Sequence, residues 1–350
     1  MRRPIAALVL AAVLFVPAGS TGQTEFLTAR FQSYLNALRL QAGIPGMSAA
    51  IVLDGRMLWE AGFGNQDVEA RRPATPDTPY YIGDLTQMFT ATLVLQCVEA
   101  RRLRLQDATL MPDQSPGTRE RSATIEQLLS HRFGSAYMYD PGRFTALTGV
   151  VERCSEASYR ERLVSAIIDR LGMTRSVPGR DVTRLVPPVF DEERLAAFEA
   201  VLRDLAVPYA TDARGRAVAS EYPTGGLDAS TGLISTTRNL AAFTAALESF
   251  VLLEPETLAA AWSPPRTSGN GAAAAPAGLG WFVQAYNGQP VVWHFGYTPG
   301  ASSGLFLRLP NRRLTLILLA NSDGLSGPYS LSDGDVTTSP FARLFLSLFG

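Results

Sequence analysis

Apolar positions recur at helical spacing over residues 25–40, where Phe26, Leu27, Phe31, Tyr34, Leu35 and Leu38 line one face ahead of Gly43 and Pro45. The spacing predicts an amphipathic helix there. Two strand-type runs follow, at 47–53 and 56–63, and the intervening Asp54-Gly55 is a tight hairpin-turn signature. From 77 to about 205 the period is mostly helical, with helices predicted at 86–100, 124–131, 144–154, 159–171 and 192–205, and strand-like runs are nearly absent. Pro187-Pro188 and the stretch 211–216 read as loops or a small hairpin, and the next predicted helix is 237–250. The Pro-, Gly- and Ala-rich stretch 263–278 reads as an exposed loop. Four strand candidates close the pattern at 279–286, 290–295, 302–309 and 314–320, before a last amphipathic helix at 339–348.

Strands at both ends with helices between them predict an α+β fold. One antiparallel sheet is built from both chain ends and flanked by helices, with an inserted all-helical region on one side. A length of 350 residues, 46% of them hydrophobic, suffices for a large core and excludes a disordered chain.

The N-terminus adds a different element. Met1-Arg2-Arg3, the apolar run 5–16 and Pro17-Ala18-Gly19-Ser20 have the order of a secretory leader, and the run is too short to span a bilayer. Cleavage is expected between Ala18 and Gln23, with 1–22 taken as the signal peptide. The mature chain is expected outside the cytoplasm, periplasmic or extracellular, with no transmembrane segment. No cysteine follows the apolar run to carry a lipid anchor. A formal net charge of −1, more negative once Arg2 and Arg3 are lost, gives no electrostatic reason to bind nucleic acid. Cys97 and Cys154 lie among apolar residues of two predicted helices. Export permits a disulfide between them, and two buried free thiols are the plainer reading.

The candidate chemistry centres on 80–91, Tyr-Tyr-Ile-Gly-Asp-Leu-Thr-Gln-Met-Phe-Thr-Ala. This stretch resembles the nucleophile helix of the serine beta-lactamase and penicillin-binding-protein family, where an aromatic-Ile-Gly lead-in precedes Ser-x-x-Lys and Phe-Thr-Ala. Further landmarks of the resemblance are Thr124 to His131, Leu171-Gly172-Met173, and Gly226-Leu227 followed by Gly232 to Thr236. It covers nearly all of the mature chain. It implies a single domain over 23–350, with an α/β part at 23–76 and 217–350 and a helical part at 77–216.

In that family the serine attacks an acyl carbon and the lysine one turn later helps to take its proton. Here those positions carry Asp84 and Gln87, and the chain contains no lysine at all. A carboxylate is a weak nucleophile, and an amide is no base at any useful pH. Asp-x-x-Gln also has the form of a helix capping box, so Asp84 and Gln87 are expected to cap the helix that follows. Tyr139 is the best match to the family's second-motif tyrosine, although Pro141 stands where the motif has asparagine; a tyrosine used for packing is an equal reading. The third motif, Lys or His, any residue, then Gly on an edge strand lining the cleft, is matched by His294-Phe295-Gly296. The resemblance implies an oxyanion site formed by the backbone amides of Tyr297 and residue 84.

His131 reads as structural. Gly300 to Gly304 matches Gly-x-Ser-x-Gly but leads into a strand, the wrong context for a nucleophile elbow. No His-Glu-x-x-His or Cys-x-x-Cys spacing is present, so neither a metal nor another cofactor is expected. The balance favours a pseudoenzyme whose cleft, with His294, Gly296 and Tyr297 on its wall, binds a small acyl, peptide or cell-wall ligand. The alternative is a hydrolase of beta-lactamase, peptidase or esterase type, with unorthodox chemistry from Asp84, Tyr139 and His294.

Overall fold

The structure is a computed structural model that describes residues 19–111, 122–134, 136–212, 216–264 and 276–350, with side chains from Gly22 onward. The leader as far as 18, and most of the expected loop 263–278, lie outside the described residues.

The main sheet takes its strands from both ends of the chain: β1 (Gly46–Leu53), β2 (Arg56–Asp67), β3 (Arg72–Pro73), β4 (Phe282–Tyr286), β5 (Gln289–Thr298), β6 (Ser302–Leu309) and β7 (Leu314–Ala320). Their order is β4-β5-β6-β7-β1-β2-β3, and every neighbouring pair is antiparallel. The β1–β2 hairpin turns at Asp54 and Gly55, both with positive φ (52° and 70°), as the Asp-Gly signature requires. The two chain ends meet where β1 pairs with β7, from Met47 opposite Ala320 to Leu53 opposite Leu314.

Both faces of this sheet are covered, which explains why β7 is buried along its whole length and apolar at every position but Thr315. Leu316 and Leu318 face α1 (Gly19–Gln41) and α10 (Pro340–Phe349), packing in one core with Phe31, Leu35, Phe341 and Phe345. Ile317 and Leu319 face the other core, which holds α2 (Thr86–Glu99). Around α2 pack α3 (Ile125–Leu129), α4 (Pro141–Phe144), α5 (Leu147–Ser155), α6 (Tyr159–Leu163), α7 (Glu192–Arg203), α8 (Thr237–Glu248) and α9 (Pro255–Ala261). Helix α2 is buried almost all round, so its polar side chains need internal partners. Thr90 finds them: its Oγ1 lies 2.6 Å from the Ala229 carbonyl oxygen and 2.6 Å from the Tyr159 hydroxyl.

Three details depart from the sequence reading. The region 77–205 holds short strand pairs below the length that periodicity detects: Ala108–Leu110 with Ser122–Thr124, and Arg132–Phe133 with Ala136–Tyr137. Tyr80–Tyr81 pairs with Ile234–Ser235 in the same way. The helix α9 was not predicted. Finally, Cys97 and Cys154 are joined in a disulfide with their Cα atoms 6.2 Å apart, because packing of α2 against α5 brings the two helix ends together. They are not free thiols. No helix among the described residues is long and apolar enough to cross a membrane.

The cross-link closes a loop with a sequence separation of 57 residues. Loop-closure entropy assigns such a bridge about 4 kcal/mol at most. Replacing both cysteines with alanine is expected to lower unfolding free energy in urea by about 2–4 kcal/mol with the fold retained. An unchanged midpoint would show that the bridge contributes nothing.

Candidate active-site cleft

The cleft begins where the lead-in to α2 meets β5. Ile82 to Leu85 run against the strand with almost no space between the two backbones. A Cβ on Gly296 would fall 2.2 Å from the Ile82 carbonyl oxygen, and one on Gly83 would fall 3.0 Å from both the Tyr297 nitrogen and Thr298 Oγ1. Gly83 also has φ +55°, so side chains are excluded there on two counts. The chain then makes a 3-10 turn, Gly83–Leu85, before α2 starts at Thr86.

That turn overturns the capping-box expectation for Asp84 and Gln87. Leu85 precedes the helix with helical backbone angles and offers no side-chain cap. Thr86 bonds back to the Gly83 carbonyl at 2.7 Å. The Asp84 carboxyl accepts instead from the Tyr139 hydroxyl, at 3.0 Å, and Asp84 is only 6% exposed. Gln87 is fully buried one turn on; its Nε2 lies 3.5 Å from Ser230 Oγ, and its Oε1 has no partner.

Tyr139 is delivered by local chain signals. The Met138 amide donates to the His131 carbonyl at 2.8 Å, and Asp140 caps α4 by accepting from the Gly142 amide at 2.9 Å, with Pro141 in the first turn. The ring packs against His131 at 4.6 Å and Phe295 at 5.1 Å between centroids. Its apolar body and its hydroxyl therefore serve both readings of this tyrosine. Burial and the neighbouring Asp84 push its pKa well above the ordinary phenol value, so it stays a donor.

His294 sits differently from the expectation. Strand β5 is second in the sheet, not its edge. Pairing with β4 nevertheless stops at Phe282 opposite Trp293, which leaves residues 294–298 without a β4 partner. The His294 ring is buried, with Nδ1 2.8 Å from the Phe295 carbonyl oxygen and Nε2 unpaired. Burial pushes its pKa down to about 4, so it is neutral at pH 7. The strand wall of the cleft is supplied by Tyr297, Thr298 and Pro299, while Gly296 permits the close approach beneath it. Asp84 and Tyr139 are thus brought together, and His294 stands apart. His131 is a buried ring in a left-handed turn (φ 48°), kept neutral by desolvation, as its structural reading required.

The cleft has room for about 370 Å³. Sequence reasoning missed a second carboxylate, Asp228, that lines it together with Asp84, Thr145, Ser230 and Thr231. Asp228 Oδ1 accepts from the Ser230 and Thr231 amides at 2.7 and 3.0 Å. This is an aspartate-initiated turn, and Asp-Ala-Ser-Thr-Gly is its sequence signal. Burial, opposed by the Tyr139 hydrogen bond and assisted by the Asp228 charge, pushes the Asp84 pKa from 3.8 up to about 7. Burial raises Asp228 as well. The arrangement can accept hydrogen bonds and hold or exchange a proton; the Asp84 carboxylate is itself a weak nucleophile, and the chain has no lysine to act as a base.

Because the folded pKa of Asp84 is raised, its neutral form is favoured in the folded state. The stability it contributes is fully present below about pH 4 and is lost as pH rises through about 7. Asp84→Asn removes the charge at nearly constant shape. Urea unfolding should show the variant close to wild type near pH 4 and more stable by roughly 2–4 kcal/mol near pH 8. A difference independent of pH would contradict this assignment.

A family model described as Beta-lactamase matches residues 27–331. Penicillin-binding protein 4 of Amycolatopsis lactamdurans is 35% identical over 130 residues, covering 36% of this chain and 32% of its own length. D-aminopeptidase of Gluconobacter oxydans is 24% identical over 200 residues, covering 47% of this chain and 38% of its own. The matched region thus spans well under half of these relatives. Among solved structures, the octameric penicillin-binding protein homologue from Pyrococcus abyssi superposes with a TM-score of 0.72 at 22% identity, covering 92% of this chain and 77% of that one. D-amino acid amidase from Ochrobactrum anthropi SV3 gives 0.63 at 19% identity, covering 92% and 98%. The structural likeness speaks for the fold, and the family model, spanning most of the sequence, speaks for descent: the chain belongs to the beta-lactamase family.

Proposed function

We propose that this family member binds its ligand in the Asp84 cleft without forming an acyl-enzyme. The observation that carries the reading is the hydrogen bond from Tyr139 to Asp84, at the position where the family resemblance calls for the nucleophile. One turn on, Gln87 supplies an amide in place of a base. A peptide, a cell-wall fragment or another acyl compound fits the reading, and the relatives' names, a penicillin-binding protein and a D-aminopeptidase, point the same way. The single domain is proposed over 23–350, with its helical part at 77–216. Export from the cytoplasm is part of the proposal. The leader-like residues 1–22 and the Cys97–Cys154 bridge both support an oxidising compartment.

A second reading, hydrolysis by water activated at Asp84, is favoured by one observation: a carboxyl with a pKa near 7 is matched to general-base work at neutral pH. His294 makes no hydrogen bond to Asp84: its Nδ1 lies 2.8 Å from the Phe295 carbonyl oxygen and its Nε2 has no partner.

Acylating probes test the first reading. Wild-type protein incubated with a fluorescent penicillin or a fluorophosphonate is expected to show no adduct by intact-protein mass spectrometry. Asp84→Ser combined with Gln87→Lys is expected to gain one, since Tyr139 and the β5 wall are already in place. Label on the wild type that disappears in Asp84→Ala would overturn the proposal. A double variant that folds but stays unlabelled would overturn the claim that the rest of the cleft is intact.

A further inference from the structure

Beside the Cys97–Cys154 bridge lies a second cavity, of about 190 Å³, which shares no lining residue with the Asp84 cleft. Both cysteines line it, together with Gln96, Arg102, Ser155 and Arg162. The cysteines are only 4% and 6% exposed, so a reagent would reach the bridge through this cavity. Its walls carry two positive charges and no carboxylate.

Neither arginine is neutralised by an ion pair among the described residues; their partners are neutral oxygens. Arg102 donates to the Cys154 carbonyl at 2.9 Å, which ties its side chain to one end of the bridge. Arg162 donates to Gln96 Oε1 at 3.1 Å, and the Gln96 amide is set for this because its Nε2 donates to the Leu252 carbonyl at 3.0 Å. Burial lowers the Arg162 pKa, and the charges of Arg102 and Arg170 lower it further. No acidic group offsets them there. Both cysteines lie in the last turns of their helices, α2 and α5, where exposed carbonyls disfavour a thiolate. The arginines supply the opposite field, and nearby cations lower a thiol's pKa.

We propose that Cys97–Cys154 is an exchange-competent disulfide whose cavity selects anionic thiols, with Arg102 and Arg162 drawing in the reagent and stabilising the cysteine thiolate that departs. The reagent thiolate attacks one cysteine sulfur, and the Cys97–Cys154 bond breaks with its electron pair leaving on the other. A second reagent thiolate then attacks the mixed disulfide. Two thiols are thereby oxidised to one disulfide, the bridge is reduced to two cysteines, and the two protons pass to the cysteine sulfurs. A more stable leaving thiolate departs faster, so both effects act in one direction. The chain as a whole has a formal charge of −1, so a preference for anionic reagents has to come from the local arginines. This site is independent of what the Asp84 cleft binds.

The test reduces the folded full chain at low ionic strength with three small thiols of different charge: 2-mercaptoethanesulfonate, 2-mercaptoethanol and cysteamine. Free cysteines are alkylated at timed intervals and counted by intact-protein mass spectrometry, and each rate is divided by the thiolate concentration. The sulfonate is expected to react about tenfold faster than cysteamine, with the neutral thiol between them, and added salt is expected to shrink the spread. Arg102→Gln and Arg162→Gln should each bring the three rates to within about threefold, with an unchanged circular dichroism spectrum. If Arg162→Gln does not fold, the exposed Arg102 decides alone. Rates that ignore reagent charge, or a preference that survives Arg102→Gln, overturn the proposal. So do rates independent of thiol concentration, which would mean that the bridge is reached only by unfolding.

Discussion

The site depends on one close approach, that of the Ile82–Leu85 backbone to strand β5. Gly83 and Gly296 make it feasible, because a Cβ at either would collide with or crowd the facing backbone. Held in this way, the 3-10 turn presents Asp84 to the cleft and leaves α2 to begin without a side-chain cap. The short pairing of Tyr80–Tyr81 with Ile234–Ser235 fixes the other side of the lead-in. The loop that carries Asp228, Ser230 and Thr231 just precedes Ile234, so one ladder sets both carboxylates.

Burial then decides the chemistry. A carboxyl in this position loses solvation and receives one neutral donor, Tyr139, but no cation. Its charge becomes expensive, and its pKa moves toward 7. The lysine of the family motif would have supplied both a base and a counter-charge. With Gln87 in its place, the helix keeps its geometry and the cleft turns acidic. On the proposed reading, the tyrosine and the glycine-bordered strand shape the cleft, and Asp84 and Gln87 stand where the resemblance places the serine and lysine that drive acyl transfer.

Much of the fold was legible because its signals are local. Asp54-Gly55 announced the hairpin, and the apolar runs of β6 and β7 announced buried strands. Long-range facts were not. The disulfide depends on how α2 and α5 pack, which the spacing of Cys97 and Cys154 does not encode. The capping box misled because Asp-x-x-Gln carries no sign of the 3-10 turn that intervenes. Tyr139 was identified only through the family pattern, and its partner emerged from tertiary packing. Asp228 was hidden in a landmark stretch valued for its glycines. His294 matched its motif by identity, yet its ring hydrogen-bonds the neighbouring backbone and leaves the wall to Tyr297 and Thr298.

The central claim is that this cleft receives a ligand and does not turn it over. Steady-state hydrolysis of a panel of beta-lactam, short-chain ester and peptide amide substrates, run side by side on wild type and Asp84→Ala, tests it most directly. The account predicts no turnover in the wild type above the level of the variant. Turnover in the wild type that vanishes with Asp84 would contradict it and make Asp84 the water-activating group of an unorthodox hydrolase.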